Sequence, residues 1–288
     1  MGLVSSKQML LDAYNNHYAI GAFATHNLEI MKAVVEAADE LSVPVIFQTT
    51  PGTIRYIGVD YIVAMTKIAA EKYSVPVALH LDHGDSLQIV MQCLRAGYTS
   101  IMIDGSHLPF EENIQLVKQV VELAHSVNVP VEAELGTIGG TEDDLTVDEA
   151  QATYTDPDLA SEFVHRTNID FLAPAFGTAH GVYKGEPKLA FDRLEQITKK
   201  VAIPLVMHGA SGVPEESVKK ALKYGISKVN ISTELKIPFA EELRNYLVQH
   251  PNESDPRKYF LSARESVKEV VKQKIVMCKQ DEYTKLPQ

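Results

Sequence analysis

Residues 74–97, SVPVALHLDHGDSLQIVMQCLRAG, contain one complete unit of the fold. Proline opens the apolar run at 76–81, where its missing N–H costs no ladder hydrogen bond at the start of a strand. Residues 86–96 then place apolar side chains at intervals of three and four, which is the spacing of an amphipathic helix. Gly97 suits the left-handed position that closes such a helix. The stretch predicts a strand followed by a helix.

The same unit recurs eight times along the chain. The expected strands are 19–24, 44–48, 76–81, 100–103, 130–134, 171–176, 204–207 and 228–231. The expected helices are 28–41, 61–73, 86–96, 113–126, 158–167, 189–200, 215–224 and 235–249. Parallel strands need helical crossovers, and eight units can close a packed barrel.

The pattern therefore predicts an α/β fold, a (β/α)8 TIM barrel with extra C-terminal helices, as a single domain over residues 1–288. The helical tail after Leu235 is interrupted at 251–256 and is expected to pack outside the barrel. An open doubly wound sheet remains the structural alternative, because counting units does not prove closure.

Composition narrows the class of protein. The 288 residues are 45% hydrophobic and 23% charged, with 27 basic and 38 acidic residues and a net charge of −11, which disfavours nucleic acid and anionic membranes as partners. Cys93 and Cys278 form no CxxC motif, and two distant cysteines indicate a reducing compartment. With no apolar run long enough for a membrane span, a cytoplasmic location is expected.

Polar residues follow the expected strands, where the active sites of barrels gather. They are Asn27, Thr50, Asp82, His83, Asp104, Glu134, His180, His208, Asn230, Ser232 and Thr233. Apolar strands that all end in such residues are hard to attribute to packing alone. The pattern predicts one shared cavity.

His83, His180 and His208 come from three different strand ends, and each is followed by glycine. Three imidazoles with an open fourth position are the ligand set of a catalytic zinc site. Any single one of the ten histidines is more often a surface or buried structural residue, so the metal prediction depends on the three positions together.

Two acidic residues are candidates for proton transfer. Asp82 adjoins His83, and strand alternation would send the two side chains to opposite faces, so one of them is expected to lie past the regular strand. A carboxylate beside a metal ligand can move substrate protons, although it can instead serve only to orient a histidine. The glycine-rich segment 136–144 is expected to be a mobile loop that brings Glu142 to the substrate, with a surface turn as the alternative.

Two segments are candidates for phosphate binding. Gly209, Ala210 and Ser211 follow the seventh strand, and residues 230–233 (Asn230, Ile231, Ser232, Thr233) follow the eighth and precede a helix. Loops at these two positions commonly bind phosphate through backbone N–H groups and a helix N-terminus. An ordinary turn with an N-cap is the alternative for each alone.

The motifs resemble those of the class II, metal-dependent ketose-bisphosphate aldolases over almost the whole chain, and most closely the tagatose-1,6-bisphosphate type. The matching phrases are LHLDHGD at 79–85, SIMIDGSHLPFEEN at 100–113, VEAELGTIGGTEDD at 131–144, GTAHGVYKGEP at 177–187, HGASG at 208–212 and KVNISTELK at 228–236. Six ordered motifs of this length make accidental similarity very unlikely.

The resemblance implies a role for each matching residue. It implies Asp82 as proton donor, one catalytic Zn²⁺ per subunit on the three histidines, and Glu142 as the acid that exchanges the triose carbon proton. It also implies that Gly181 joins the two phosphate segments. Asp104 and Glu134 match an inner metal position in some members. Arg257 matches an arginine that reaches the second phosphate from a neighbouring subunit, which implies a homodimer or homotetramer.

The expected reaction is that of a lyase (aldehyde-lyase), which cleaves D-tagatose 1,6-bisphosphate to dihydroxyacetone phosphate and D-glyceraldehyde 3-phosphate through a zinc-stabilised enediolate. Lys184 is similar to fructose-type members, so fructose 1,6-bisphosphate or both sugars are alternative substrates. The sequence leaves open a monovalent cation as a second cofactor, and the resemblance implies an accessory subunit as a further partner, because some tagatose-type relatives work with one.

Two alternative hypotheses about the function remain. A Schiff-base aldolase would use a lysine amine, but no expected strand directs a lysine to the mouth, since Lys228 opens the eighth strand at the opposite end. A non-catalytic accessory barrel would have no reason to keep three histidines together with Asp82.

Overall fold

The computed structural model describes residues 2–142, 145–148, 152–183 and 185–279, with backbone alone at 142 and 145–147. Its strands are β1 (Ile20–Ala24), β2 (Val45–Thr49), β3 (Val77–Gly84), β4 (Ser100–Ile103), β5 (Val131–Leu135), β6 (Gly139–Glu142), β7 (Leu145–Val147), β8 (Phe171–Pro174), β9 (Ala179–His180), β10 (Leu205–Met207) and β11 (Ile226–Ile231). Its helices are α1 (Ser6–Asn16), α2 (Leu28–Glu40), α3 (Pro51–Ile57), α4 (Val59–Lys72), α5 (Leu87–Ala96), α6 (Phe110–His125), α7 (Pro157–Thr167), α8 (Phe191–Val201), α9 (Glu215–Leu222), α10 (Thr233–Gln249) and α11 (Pro256–Met277).

Eight of the described strands close a parallel barrel in the order β1, β11, β10, β8, β5, β4, β3, β2. The seam is the pairing of β1 with β11, in which Ile20 lies opposite Lys228. This closure confirms the predicted barrel and excludes the open sheet. Each of the eight predicted strands overlaps one barrel strand, because apolar runs buried on both faces are typical of parallel sheets.

Helix α1 closes the end of the barrel opposite the carboxyl ends of the strands. Its Met9, Leu10 and Ala13 belong to one buried apolar cluster with inward-facing strand residues such as Ile20 and Phe171. Burying this face removes apolar side chains from water at both the helix and the barrel floor. The barrel is therefore a filled core that leaves only one end for a site.

The C-terminal helices lie outside the barrel, as predicted. Helix α11 packs against α10 and α2, and the chain turns between α10 and α11 at residues 250–255. Within the described part of the chain, no helix has the length and apolar character needed to span a bilayer.

Several local predictions differ from the structure. The seven-residue helix α3 was not predicted, although Thr50 caps it and Pro51 opens it. Helix α7 begins one residue earlier than expected and is capped by Asp156. The glycine-rich segment expected as a loop contains β6, which pairs with β7 and β9 in a small separate sheet.

Candidate active site

Three imidazoles meet at the carboxyl ends of the barrel strands. The ring centroids of His83 and His208 are 4.7 Å apart, those of His83 and His180 are 5.1 Å apart, and those of His180 and His208 are 5.9 Å apart. Each ring offers one nitrogen, and these nitrogens all lie within 4.8 Å of one another. The three histidines predicted as a set are thus close enough to share one ion.

A break in the regular strand brings Asp82 and His83 into the same cavity. The register between β3 and β4 shifts between Leu81 and Gly84, and His83 has a left-handed backbone with φ of 46°. Both side chains are buried, and the irregular backbone at this point interrupts the regular alternation of faces. The prediction that one of them lies past the strand was wrong, because β3 runs to Gly84 and contains both residues, with an irregularity in its pairing between Leu81 and Gly84.

Two of the imidazoles each have one ring nitrogen within hydrogen-bond distance of a carboxylate. Oδ2 of Asp104 lies 2.8 Å from Nδ1 of His83, and Oε1 of Glu132 lies 2.9 Å from Nε2 of His208. Metal-ligating histidines commonly donate in this way, which fixes the tautomer and the ring orientation. Nδ1 of His208 is buried and makes no hydrogen bond, although Oε2 of Glu134 lies 3.2 Å away.

The carboxyl groups around the imidazoles have different pKa values. Burial is the largest effect on the pKa of Asp104 and would raise it, but the hydrogen bond and charge of His83 together with hydrogen bonds from Ser106 outweigh burial and hold the pKa below the usual range. The pKa of Glu134 is raised, by burial first and then by the charge of Asp104. One ligand atom from each of His83, Asp104 and Glu134 lies within 4.8 Å of the others, which brings together the residues of the expected inner metal position.

Asp82 is fully buried beside this cluster. Asn230 donates an Nδ2–H to Oδ1 of Asp82 over 3.1 Å, and the two residues are 148 positions apart in sequence. The end of β11 therefore orients the carboxylate at the end of β3. A buried carboxylate next to a metal-binding histidine can donate a proton to a molecule bound in the cavity or accept one from it.

His180 does not lie on a barrel strand but on the two-residue strand β9, which is held from two sides. Gly140 of β6 pairs with His180, and a Cβ on Gly140 would meet the His180 carbonyl oxygen at 2.1 Å. A Cβ on Gly209 would meet the carbonyl oxygen of Ala179 at 2.5 Å. The close approach of three backbones requires glycine at both positions.

One hydroxyl also links β9 to the segment after β10. Oη of Tyr183 accepts the N–H of Ala179 at 2.7 Å and donates to the carbonyl oxygen of Gly209, also at 2.7 Å. Burial raises the pKa of Tyr183 to about 12, so the hydroxyl keeps its proton at neutral pH. This residue thereby ties the strand that carries His180 to the glycine that follows His208.

The two predicted phosphate segments lie at the same end of the barrel. Gly209, Ala210 and Ser211 follow β10, and Ser232 precedes the first residue of α10, Thr233. Oγ of Ser232 is buried, makes no cap to the helix and has no hydrogen-bond partner. The first N–H groups of a helix attract anions, so this arrangement suits a phosphate.

The remaining predicted residues are less directly tied to the cavity. Asn27 and Thr50 cap helices α2 and α3 with their side chains, and Gly181 follows His180 with φ of 87°. Arg257 is exposed and pairs with Asp255 of its own chain at 2.7 Å. The backbone of Glu142 ends β6, whereas its side chain and the whole of Lys184 lie outside the described residues.

Sequence reasoning missed four residues around the site: His80, Glu132, Tyr183 and Lys228. The placement of Lys228 was wrong. The strand begins at Ile226, so Lys228 is its third residue, and the side chain is buried inside the barrel against Glu132. Charged residues in the middle of apolar strands were the available signal, because such residues are rarely buried without a partner.

The sequence matches the family described as "Fructose-bisphosphate aldolase class-II" over residues 4–282. It is 49% identical to the D-tagatose-1,6-bisphosphate aldolase subunit GatY of Klebsiella oxytoca, over 96% of this chain and 98% of the relative. The YdjI aldolase of Escherichia coli K12 superposes with a TM-score of 0.86 at 35% identity, covering 97% of this chain and 98% of that one. A fructose-bisphosphate aldolase of Campylobacter jejuni, 24% identical, shares the fold with a TM-score of 0.81 over 96% of both chains.

Proposed function

This chain belongs to the class II fructose-bisphosphate aldolase family, and we propose that its substrate is D-tagatose 1,6-bisphosphate. The enzyme is a class II ketose-bisphosphate aldolase, a lyase. Cleavage of this sugar between C3 and C4 yields dihydroxyacetone phosphate and D-glyceraldehyde 3-phosphate. The choice of tagatose is supported by the 49% identity to the GatY subunit over nearly the full length of both chains.

The residues at the barrel mouth fit a divalent metal, as the family requires. The donor set is three imidazoles whose nitrogens lie close together, and the buried Nδ1 of His208 makes no hydrogen bond. We assign His83, His180 and His208 as ligands of one Zn²⁺, with Asp104 and Glu134 as an inner secondary position. When bound, the ion supplies a Lewis acid for the ketone oxygen and for the negative charge that develops on bond cleavage.

Asp82 is assigned the proton at C4, and its burial next to His83 supports this role. During cleavage its carboxylate accepts the proton of the C4 hydroxyl as the C3–C4 bond breaks, and during synthesis it returns that proton. The hydrogen bond from Asn230 to Oδ1 orients this carboxylate. Glu142 is assigned the proton on the triose carbon that corresponds to C3 of the hexose, because β6 runs beside the strand that carries His180.

The two ends of the substrate need separate anion sites. Gly181, Gly209, Ala210, Ser211 and residues 230–233 (Asn230, Ile231, Ser232, Thr233) are assigned to the phosphate of the dihydroxyacetone half. The buried hydroxyl of Ser232 and the N-terminus of α10 support this assignment. Oriented dipoles allow a chain with a net charge of −11 to hold phosphate locally. Asn27, Thr50 and Lys184 are assigned to the remainder of the substrate.

The proposed site for the second phosphate depends on the proposed oligomer, because the residue assigned to it comes from a neighbouring subunit. Arg257 is exposed on its own subunit, which supports a role at the mouth of a neighbouring subunit in a homodimer or homotetramer. A relative described as a subunit supports an accessory chain as a further partner. The two reduced cysteines support a cytoplasmic location.

Fructose 1,6-bisphosphate is the second candidate substrate, because the matching family carries that name. The two sugars differ only in configuration at C4, next to the bond that breaks. One hydroxyl orientation is a small difference for a binding pocket, so cleavage of both is compatible with this site.

Steady-state cleavage of both bisphosphates by the zinc-loaded chain tests the proposal. We expect kcat/KM for the tagatose ester to exceed that for the fructose ester at least tenfold, with Asp82→Ala as the inactive control. A ratio near one would show dual specificity, and a ratio favouring fructose would contradict the assignment of substrate. If the cleavage rate is low, assays with and without the accessory chain of a relative would show whether the rate is an intrinsic property of this chain or results from a missing partner.

A further inference from the structure

A buried ion pair lies inside the barrel next to the three histidines. The side chains of Lys228 on β11 and Glu132 on β5 are 1% and 0% exposed, and Nζ of the lysine lies 2.8 Å from Oε2 of the glutamate. A charge in such surroundings is costly unless an opposite charge and hydrogen bonds compensate it. Each of the two residues therefore depends on the other for its place in the interior.

The lysine also bonds His80, which defines the direction of the hydrogen bonds around it. Nζ of Lys228 lies 3.1 Å from Nε2 of His80, and an ammonium group can only donate, so Nε2 accepts. Nδ1 then carries the ring proton and donates it to Oγ of Ser100 at 2.7 Å. Burial, followed by the charge of Lys228, lowers the pKa of His80, in agreement with a neutral ring.

This geometry argues against a further metal ion at His80, Asp82 and Glu132. Those three side chains do offer ligand atoms within 4.8 Å of one another. However, Nζ of Lys228 already lies within hydrogen-bond distance of both His80 and Glu132. The protein's own ammonium group thus supplies the positive charge at this point in the barrel.

Glu132 connects the lysine to one of the three histidines. Its other oxygen, Oε1, lies 2.9 Å from Nε2 of His208 and accepts the proton of that nitrogen. Nδ1 of His208 is then the nitrogen with the lone pair, and it is also the nitrogen without a hydrogen-bond partner. A carboxylate held at one oxygen by the lysine presents the other in a fixed direction.

We propose that Lys228 is a positioning residue of the metal centre: it fixes the Glu132 carboxylate, and Glu132 in turn keeps Nδ1 of His208 directed toward His83 and His180. This inference rests on the proposed metal site, and it adds a residue that contacts neither the ion nor the substrate. Without the ammonium group, Oε2 of Glu132 would be buried without its cation, and the carboxylate would turn toward other donors.

Zinc affinity, measured by competition with a chromophoric chelator on folded apo-protein, tests this role. Lys228→Met is expected to bind Zn²⁺ about 10- to 100-fold more weakly than the wild type, as is typical when a partner of a ligating histidine is lost. Lys199→Met serves as the matched control, because that lysine is exposed and forms an ion pair with Glu195 on the same helix. The control is expected to bind Zn²⁺ as the wild type does.

A double-variant cycle separates positioning from general destabilisation. If Lys228 acts through Glu132, adding Lys228→Met to Glu132→Gln will weaken Zn²⁺ binding no further than Glu132→Gln does alone. Losses that multiply in the double variant, or wild-type affinity in Lys228→Met, would overturn the inference. If Lys228→Met does not fold, the zinc affinity of the double variant is compared with that of Glu132→Gln alone. The double variant removes both buried charges and therefore leaves neither without its partner. A wild-type chain that binds no Zn²⁺ would instead contradict the proposed function.

Discussion

The hydroxyl of Tyr183 donates to the carbonyl oxygen of Gly209 at 2.7 Å and accepts the N–H of Ala179 at the same distance. The bond spans 26 residues of sequence and joins the segments that hold His180 and His208. Two of the three imidazoles are therefore held in position by a residue that belongs neither to β9 nor to β10.

Tyr183→Phe should weaken both the metal centre and the adjoining phosphate segment. It removes one donor and leaves the Ala179 N–H without its acceptor, a change that costs about 1–3 kcal/mol. We expect zinc affinity and kcat/KM each to fall about tenfold, measured by chelator competition and steady-state cleavage. Tyr56→Phe, at a residue that is 82% exposed, is the control and should match the wild type. Unchanged zinc affinity in Tyr183→Phe would show that the bridge does not position His180.

Gly140→Ala should displace His180. A Cβ at this position would meet the backbone of His180 at 2.1 Å, and the φ of 102° disfavours any residue with a side chain. We expect zinc affinity to drop more than tenfold while the far-ultraviolet circular dichroism of the barrel is retained. Gly185→Ala, which adds a methyl group with no neighbour within 4 Å, is the matched control for zinc binding. Equal affinity in the two variants would exclude the close contact.

Asp82→Ala should separate catalysis from metal binding. Removal of an acid–base group costs about 10²- to 10⁴-fold in rate, whereas the three imidazoles remain. The expected result is a kcat lowered by that factor with one Zn²⁺ still bound per chain. Full turnover in a zinc-loaded Asp82→Ala enzyme would refute the assigned role.

Both cysteines should be unreactive in the folded protein. Burial raises the pKa of Cys93 and of Cys278 to about 12. At pH 8 the reactive thiolate is then only about one part in ten thousand, and it increases as the pH rises toward 12. We expect no reaction with a thiol reagent until denaturant unfolds the chain, after which both thiols react. Rapid labelling of either residue in the native state would contradict its burial.

The barrel could be predicted from the sequence because each unit carries its own local signal. The run at 76–81 and the helix that follows it are recognisable from proline, apolar spacing and Gly97 alone, and the structure confirms them as β3 and α5. The predicted ends of the strands then placed the three histidines at the same end of the barrel. These steps need only local sequence and the rule that parallel strands share their carboxyl edge.

The supports of the site could not be predicted, because they depend on distant pairs. Asn230 and Asp82 are 148 residues apart, as are Lys228 and His80, and no local pattern defines such contacts. A two-residue error at the start of β11 was enough to place Lys228 at the wrong end of its strand. Strand β9 has only two residues, so its pairing with β6 gave no periodic signal.

The most direct test of the account is anomalous diffraction at the zinc edge from crystals of the zinc-loaded, active enzyme. We predict one strong peak per chain, within bonding distance of nitrogens from His83, His180 and His208, with Nδ1 as the ligand atom of His208. A peak away from these rings, or full activity in protein that contains no metal, would contradict the central claim that three imidazoles converge on one catalytic ion.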